Sequence, residues 1–481
     1  MQLLVVQRIL GILFMMHSVT MLPPVLVALA YGEREWADFL ITFGILFIFG
    51  VAVWWPVRDE RRELRTRDGF VIVVMFWTVL GMAGAIPFML DLDLPFTDAV
   101  FESVSGFTTT GATVLSGLDH LPKAILYYRQ QLTFIGGIGI VVLAVAILPM
   151  LGVGGMSLYR AETPGPMKDT KLTPRIIETA RAFSYTYLGL CAACALAFWA
   201  AGMDLFDAVG HSFAVLATAG FSNHDASFAY FDSPLIEAIA CVFMLLGAIS
   251  FSAHFLAWRG FHMRYYWQDR ELRAFLWVTF LLIILFTLML AWTSQYSDFW
   301  QALRYAAFNV ISTLTTTGYV TANFSEWPSF LPVLLMLIAF IGGCAGSTAG
   351  GLKMMRVMLL YKQGMREIWR LAHPRGIFPI KVGGKSLPNN VVDAIWGFFS
   401  FYMLSALVLT LVMMGTGLDA VTAFSAVSAS LNNMGAGLNE LGSTFEPVTT
   451  FGKWVLIFAM LLGRLEIFAL LVLFTPAFWR R

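Results

Sequence analysis

Four short segments of the chain carry the same pattern. The first runs from Asp98-Ala99-Val100-Phe101 to Thr108-Thr109-Thr110-Gly111-Ala112, and the second from Asp207-Ala208-Val209-Gly210 to Ala217-Thr218-Ala219-Gly220-Phe221. The third runs from Trp300-Gln301-Ala302 to Thr315-Thr316-Thr317-Gly318-Tyr319, and the fourth from Asp419-Ala420-Val421-Thr422 to Leu431-Asn432-Asn433-Met434-Gly435. Asp precedes the glycine by 13, 13 and 16 residues in the first, second and fourth, and the glycines lie 109, 98 and 117 residues apart. Thr, Ala, Asn and Met before a glycine supply no acid, base or nucleophile. They supply backbone. Glycine reaches φ values closed to most L-residues, so its neighbours' carbonyls can turn to one side. Rings of such carbonyls replace the hydration shell of a monovalent cation. The loops contain no carboxylate, whereas calcium prefers several.

These loops need a scaffold, and composition says where it lives. The chain has 481 residues, 58% hydrophobic and only 13% charged, against roughly 25% charged in soluble domains. Its mean hydropathy is +0.75. Too little polar side chain is present to coat soluble surfaces, which also excludes disorder, a coiled coil and a disulfide scaffold. The net charge of +1 gives no general attraction to nucleic acid. Cys191 and Cys194 form a C-x-x-C among Ala, Leu and Phe, with no second pair or zinc-spaced His. Cys241 and Cys344 are read as structural too. No cleavable signal peptide is visible.

Ten runs have the length of a spanning helix, about 20 residues. They lie near 3–30, 37–55, 69–90, 129–152, 182–203, 234–258, 274–296, 331–361, 391–415 and 452–479. The four patterned segments are too short to cross, as re-entrant segments are. Arg and Lys mark the cytoplasmic side. They concentrate in loop 56–68 (Arg58, Arg61, Arg62, Arg65, Arg67), loop 153–181 (Arg160, Lys168, Lys171, Arg175, Arg181), loop 257–273 (Arg259, Arg264, Arg270, Arg273) and stretch 353–385. With Arg8, Arg480 and Arg481, 25 of the 31 positive residues fall on one side. The expected architecture is all-α: ten transmembrane helices with both termini cytoplasmic. Four pseudo-symmetric repeats of span, short helix, Gly loop and span surround one pore. The boundaries are 1–68 for a two-helix addition and basic loop, then 69–180, 181–273, 274–388 and 389–481 for the repeats.

With SGFTTTGAT at 105–113, ATAGFSNHD at 217–225, TLTTTGY at 313–319 and LNNMGAGL at 431–438, the chain resembles the Trk/Ktr/HKT superfamily of potassium transporters over nearly its whole length. The two extra N-terminal helices and RQQLTFIGGIGIVVLAVAILPMLGVGG at 129–155 point to the bacterial TrkH branch. The resemblance implies potassium uptake across the bacterial inner membrane by a multi-pass subunit. It makes Thr109, Thr110, Gly111, Thr218, Ala219, Gly220, Thr316, Thr317, Gly318, Asn432, Asn433, Met434 and Gly435 the K+ filter. It also implies a homodimer in lipid and a cytosolic nucleotide-binding regulatory ring of TrkA type. No organic cofactor is expected in this chain. One residue departs from the pattern: Ala436 stands where Pro is expected after the fourth glycine.

Gly342, Gly343, Gly346, Gly350 and Gly351 crowd into the middle of the 331–361 run. Each costs a helix about 1 kcal/mol relative to alanine, so the run should break there. Small-xxx-small packing is the competing reading; a phosphate loop fails because Leu352 stands where Lys is required. The resemblance makes this break the gate. Arg464 lies within the last run, where a charge is expensive and usually functional. It is expected to face the pore beneath the filter, and a pairing with Glu466 is disfavoured because residues two apart on a helix diverge. Glu102 and His211, each four residues after the repeat Asp, could support the backs of their loops or make plain satisfied polar contacts. Gly136-Gly137-x-Gly139 lies within a run, and packing is its expected use. Two other classes compete: a secondary transporter of a small solute, with two broken helices, and an intramembrane enzyme. The enzyme lacks a Ser/His pair or a His/Asp cluster within the runs.

Overall fold

The computed structural model describes residues 2–60, 62, 66–146, 172–260, 262–328, 330–382 and 385–480. Positions 147–152 of the fourth run lie outside the described residues, as do Arg61, Arg65, Arg160, Lys168, Lys171 and Arg481. The described chain is all-helical in architecture. Its one departure is an antiparallel hairpin of two-residue strands, Lys381–Val382 with Lys385–Ser386.

Six helices among the described residues are long and apolar enough to cross a bilayer: Leu3–Tyr31, Trp36–Val57, Arg67–Asp91, Glu178–Ala200, Arg270–Trp292 and Asn389–Met414. Helix Lys123–Ala146 fills the described part of the fourth run. The 331–361 run is interrupted, with Leu331–Ile338 and Met354–Ala372 flanking a glycine-rich loop. Two runs expected to be single spans are broken as well, and here the sequence reading is corrected. Pro234–Ala248 meets Phe251–Gly260 at 99°, and Thr450–Arg464 meets Phe468–Phe474 at 108°.

The first of these breaks has a tertiary cause. Cys344 donates its N–H to the Ala248 carbonyl (2.8 Å), Thr348 to Gly247 (3.3 Å), and Phe251 donates to Gly346 (3.0 Å). The glycine-rich loop thus pairs with backbone groups around the bend, which would otherwise cost several kcal/mol each in an apolar interior. At the second break Glu466 and Ile467 take left-handed φ values of 51° and 52°. Glu466 pairs with Arg356 at 2.5 Å, not with Arg464.

The four patterned segments form helices Phe96–Phe107, Leu205–Ala217, Phe299–Leu314 and Ala420–Leu431. At 1.5 Å per residue, twelve residues cover about 18 Å, short of the ~30 Å hydrocarbon core. Asp204 caps the second helix through the Phe206 N–H (3.0 Å). Asp419 caps the fourth through Val421 (3.1 Å) and Thr422 (3.2 Å). The last four residues of every one of these helices are buried, so each carries its end into the centre of the molecule.

The N-terminal addition packs on itself at two glycines. A Cβ on Gly11 would lie 2.7 Å from Trp54 N, and one on Gly50 would lie 2.9 Å from Met15 N. Both neighbours are backbone and cannot yield without separating the helices. Gly50→Leu is therefore expected to destabilise the purified protein by about 1–3 kcal/mol, the usual cost of overpacking, read as a lowered thermal unfolding midpoint. An unchanged midpoint would contradict this close crossing.

Candidate ion pathway

Each short helix ends in the same turn. The residue two before the glycine takes a left-handed conformation: Thr109 (φ 50°), Thr218 (51°), Thr316 (57°) and Asn433 (52°). The glycine does so again, at 83°, 68°, 83° and 87° for Gly111, Gly220, Gly318 and Gly435. Between them, the residue before each glycine donates its N–H five residues back. The pairs are Thr110 to Ser105 (2.8 Å), Ala219 to Ala214 (2.9 Å), Thr317 to Ser312 (2.7 Å) and Met434 to Ala429 (2.8 Å). This is a Schellman cap, with Thr or Asn where glycine is usual. A β-branched residue at positive φ is strained, and three such threonines in equivalent places mark a conformation the surroundings enforce.

The four turns close into a ring. A Cβ on Gly111 would collide with the Ala219 carbonyl oxygen, on Gly220 with that of Thr317, on Gly318 with that of Met434, and on Gly435 with that of Thr110. In every case the obstructing carbonyl belongs to the residue just before the next repeat's glycine, and the fourth contact returns to the first. All four glycines also line one cavity of about 90 Å³. Every predicted Thr, Ala, Asn and Met of these loops is buried. Thr108 and Thr110 share a hydroxyl hydrogen bond of 2.8 Å, as Thr315 and Thr317 do. Asn433 Nδ2 donates to Thr110 Oγ1 across the fourth-to-first junction at 3.0 Å. The negative ends of four helix dipoles point toward this ring, about 0.3–1 kcal/mol each for a nearby cation.

The glycine-rich loop lies against the ring. Gly350 donates its N–H to Thr316 Oγ1 (2.6 Å), and Thr348 Oγ1 donates to the Leu216 and Gly247 carbonyls (2.9 Å each). A Cβ on Gly350 would strike the Asn432 carbonyl. Arg464 completes the circuit: Nε donates to Thr108 O at 2.7 Å and Nη1 to Thr348 O at 3.2 Å. Its Nη2 is buried with no hydrogen-bond partner among the described residues. Gly342, Gly346 and Gly351 take positive φ, and Gly343 packs on Ala248.

Among the anchors of this arrangement, Glu271, Tyr402 and Arg129 carry no role in the sequence reading, while Lys353 is expected there only to follow the loop at the cytoplasmic interface. Buried Glu271 accepts through Oε1 from the middle of the loop, Ala345 N (2.8 Å), and from the first turn of the helix that follows it, Met355 N (2.9 Å). Lys353 adopts φ 77° and returns its ammonium to the carbonyls of Ser347 and Ala349. Tyr402 binds Leu431 O and Asn432 Oδ1 behind the fourth loop. Arg129, fully buried, joins Glu102. Its only sequence signal was a charge followed by two glutamines at the head of an apolar run. Glu102 and His211 do support their loops, through Thr113 (2.9 Å) and Ser222 (3.1 Å). No group of three or more potential metal-ligating His, Cys, Asp or Glu exists among the described residues, and the described cysteines are free.

Four half-crossing helices closed into a ring of main-chain oxygens, inside a helical bundle of membrane-spanning composition, define a multi-pass membrane transport protein. The family model for TrkH, a cation transport protein, matches residues 36–481. The Trk system potassium uptake protein TrkH of Vibrio parahaemolyticus is 55% identical over 477 residues, covering 98% of both chains. The protein of that name from Escherichia coli K12 is 52% identical over 477 residues and covers 99% of both. The crystal structure of the potassium transporter TrkH from Vibrio parahaemolyticus superposes with a TM-score of 0.93 at 52% identity, covering 100% of both chains. The chain belongs to the TrkH family of cation transport proteins, within the Trk/Ktr/HKT superfamily.

Lining the same cavity as the four glycines, His224 joins two repeats. Its Nδ1 meets Asp119 at 2.5 Å, its Nε2 meets Asp207 at 3.0 Å, and its ring stacks on Tyr230 at 3.5 Å. Burial alone would lower its pKa, but the two carboxylates outweigh burial and hold it above the ordinary value. A raised pKa means that this contribution to stability is complete below the unfolded value, about 6.5, and fades as pH rises through the folded value. The unfolding midpoint of the wild type should therefore exceed that of His224→Gln by most at mildly acidic pH, with the gap narrowing toward alkaline pH. A gap that stays constant or widens with pH would contradict the bridge.

Proposed function

We propose that this chain is the membrane subunit of a potassium-uptake system, passing K+ through a filter of backbone carbonyls. The observation that carries the reading is the cyclic contact of the carbonyls of Thr110, Ala219, Thr317 and Met434 with the glycines of neighbouring repeats. The curated relatives named above are potassium uptake proteins. The filter comprises the four loop sets at 109–111, 218–220, 316–318 and 432–435, and each repeat (69–180, 181–273, 274–388, 389–481) contributes one. Neutral oxygens fit a monovalent ion, because no carboxylate lies in the loops to attract a divalent one. A small organic solute is poorly matched: the cavity of about 90 Å³ is well below the roughly 300–1,000 Å³ of small-molecule pockets.

Residues 341–351 are the gate. Their hydrogen bonds run to the second short helix and the third loop, and Arg464 ties them to the first. A guanidinium there opposes a cation leaving the filter and at the same time holds the loop. The chain performs no chemical conversion; its substrate is the ion. The reading further places the subunit in the bacterial inner membrane as a homodimer with both termini cytoplasmic. A nucleotide-binding ring of TrkA type docks on the basic cytosolic face and acts on the gate.

Gly111→Ser adds a Cβ where the Ala219 carbonyl stands, so it should relax selectivity and lower the rubidium-to-sodium flux ratio in proteoliposomes. An unchanged ratio in folded protein would contradict the filter. Arg464→Ala removes the positive barrier and a gate anchor, and ion flux should rise several-fold. Flux unaltered or abolished in well-folded protein would contradict this role.

A further inference from the structure

The position nine residues before each ring glycine holds Glu102, His211, Asn309 and Ala426. In the second and third repeats the support is neutral and local: His211 reaches Ser222 Oγ at 3.1 Å, and Asn309 reaches Thr321 Oγ1 at 3.0 Å. In the fourth, the adjacent Ser425 accepts from Leu438 N at 3.1 Å. The first repeat is different. Glu102 is fully buried in an ion pair, and accepts from Thr113 Oγ1 (2.9 Å), Val114 N (3.0 Å) and Arg129 Nε (2.7 Å).

Arg129 is itself fully buried and extends the network into the next repeat. Its Nη1 donates to Ser222 O at 2.8 Å, its Nη2 donates to Thr113 Oγ1 at 3.2 Å, and its guanidinium lies 4.4 Å from the centre of the Phe221 ring. Thr113 follows Gly111 by two residues, and Phe221 and Ser222 follow Gly220 directly. One planar group therefore touches the outgoing strands of two neighbouring loops. A buried ion pair is not the cheapest way to stabilise a fold, since apolar residues of similar volume often do as well. What it provides here is geometry: a rigid fork with fixed donor directions, set between the two loops whose separation contributes one side of the ring.

We propose that Arg129, held on Glu102, is a positioning residue that fixes the spacing of the first and second loops, and through it the discrimination of potassium from sodium. The proposal rests on the reading of these loops as the filter. A sodium ion is smaller and needs the oxygens to draw in around it; a strut between two loops resists that contraction. Lysine keeps a positive charge beside Glu102, but its three donors share one nitrogen on a flexible stem and do not span the carboxylate and the Ser222 carbonyl as the guanidinium fork does.

The test measures rubidium and sodium fluxes of full-length protein in proteoliposomes, beside its unfolding midpoint, for wild type, Arg129→Lys, Thr113→Val and Gly111→Ser. For folded Arg129→Lys the rubidium-to-sodium ratio should fall by about tenfold, the equivalent of one lost hydrogen bond to a charged group. A merely structural role would shift the midpoint and leave the ratio alone. If the ratio holds in Arg129→Lys while Gly111→Ser lowers it, the strut is overturned and the filter stands. If neither changes it, the filter reading fails and the strut with it. Should Arg129→Lys not fold, Thr113→Val decides, because it removes the hydroxyl that joins both charges to the first loop. A lowered ratio supports the strut and a wild-type ratio overturns it.

Discussion

Backbone that leaves the helix inside a bilayer must find its hydrogen-bond partners within the protein. The central architecture of this chain follows from that constraint. Four short helices end at depth, and each end is closed by the same Schellman turn, with a five-residue backbone bond in every repeat. The turn requires one left-handed residue, a left-handed glycine follows two residues later, and that pair of reversals presents one carbonyl to the neighbouring loop. The ring is thus what four capped helix ends become when packed around one axis.

The same constraint explains the layer against the ring. Loop 341–351 is non-helical over a length that lipid would not tolerate, and it is accommodated because a second helix breaks beside it. The carbonyls of Gly247 and Ala248 and the N–H of Phe251 are the partners it uses. Glu271 ties the middle of the loop to the start of the next helix, Lys353 binds carbonyls within it, and Arg464 bridges it to the first repeat. Most of these ties are hydrogen bonds to single backbone groups. A segment held in that way can be released by losing a few of them, as the proposed gate requires.

The repeats were legible from sequence because they rest on local signals: short apolar segments, an initiating Asp in three of the four, and a glycine after small polar residues. The interruption near Gly346 was legible for the same reason, five glycines in ten residues. The breaks at 249–250 and 465–467 were not. The first is fixed by a loop some hundred residues away in the chain, and the second combines strained residues with a Glu466–Arg356 pair that no local pattern announces. Arg129 escaped notice because its meaning lies in two partners on different repeats. Their equivalent positions leave Glu102 and His211 as either loop supports or plain satisfied polar contacts, and position alone does not show that one belongs to an ion pair and the other acts through its ring. Long-range polar contacts, more than helices, mark where sequence reading stopped.

The central claim is that an alkali ion occupies the axis enclosed by the carbonyls of Thr110, Ala219, Thr317 and Met434. Anomalous diffraction from crystals grown with thallium or rubidium in place of potassium tests it most directly. The account predicts density on that axis, within coordination distance of oxygens from all four loops and weakened when sodium is substituted. Density confined to another part of the molecule, or absent from the ring in protein that still transports the same ion, would contradict it.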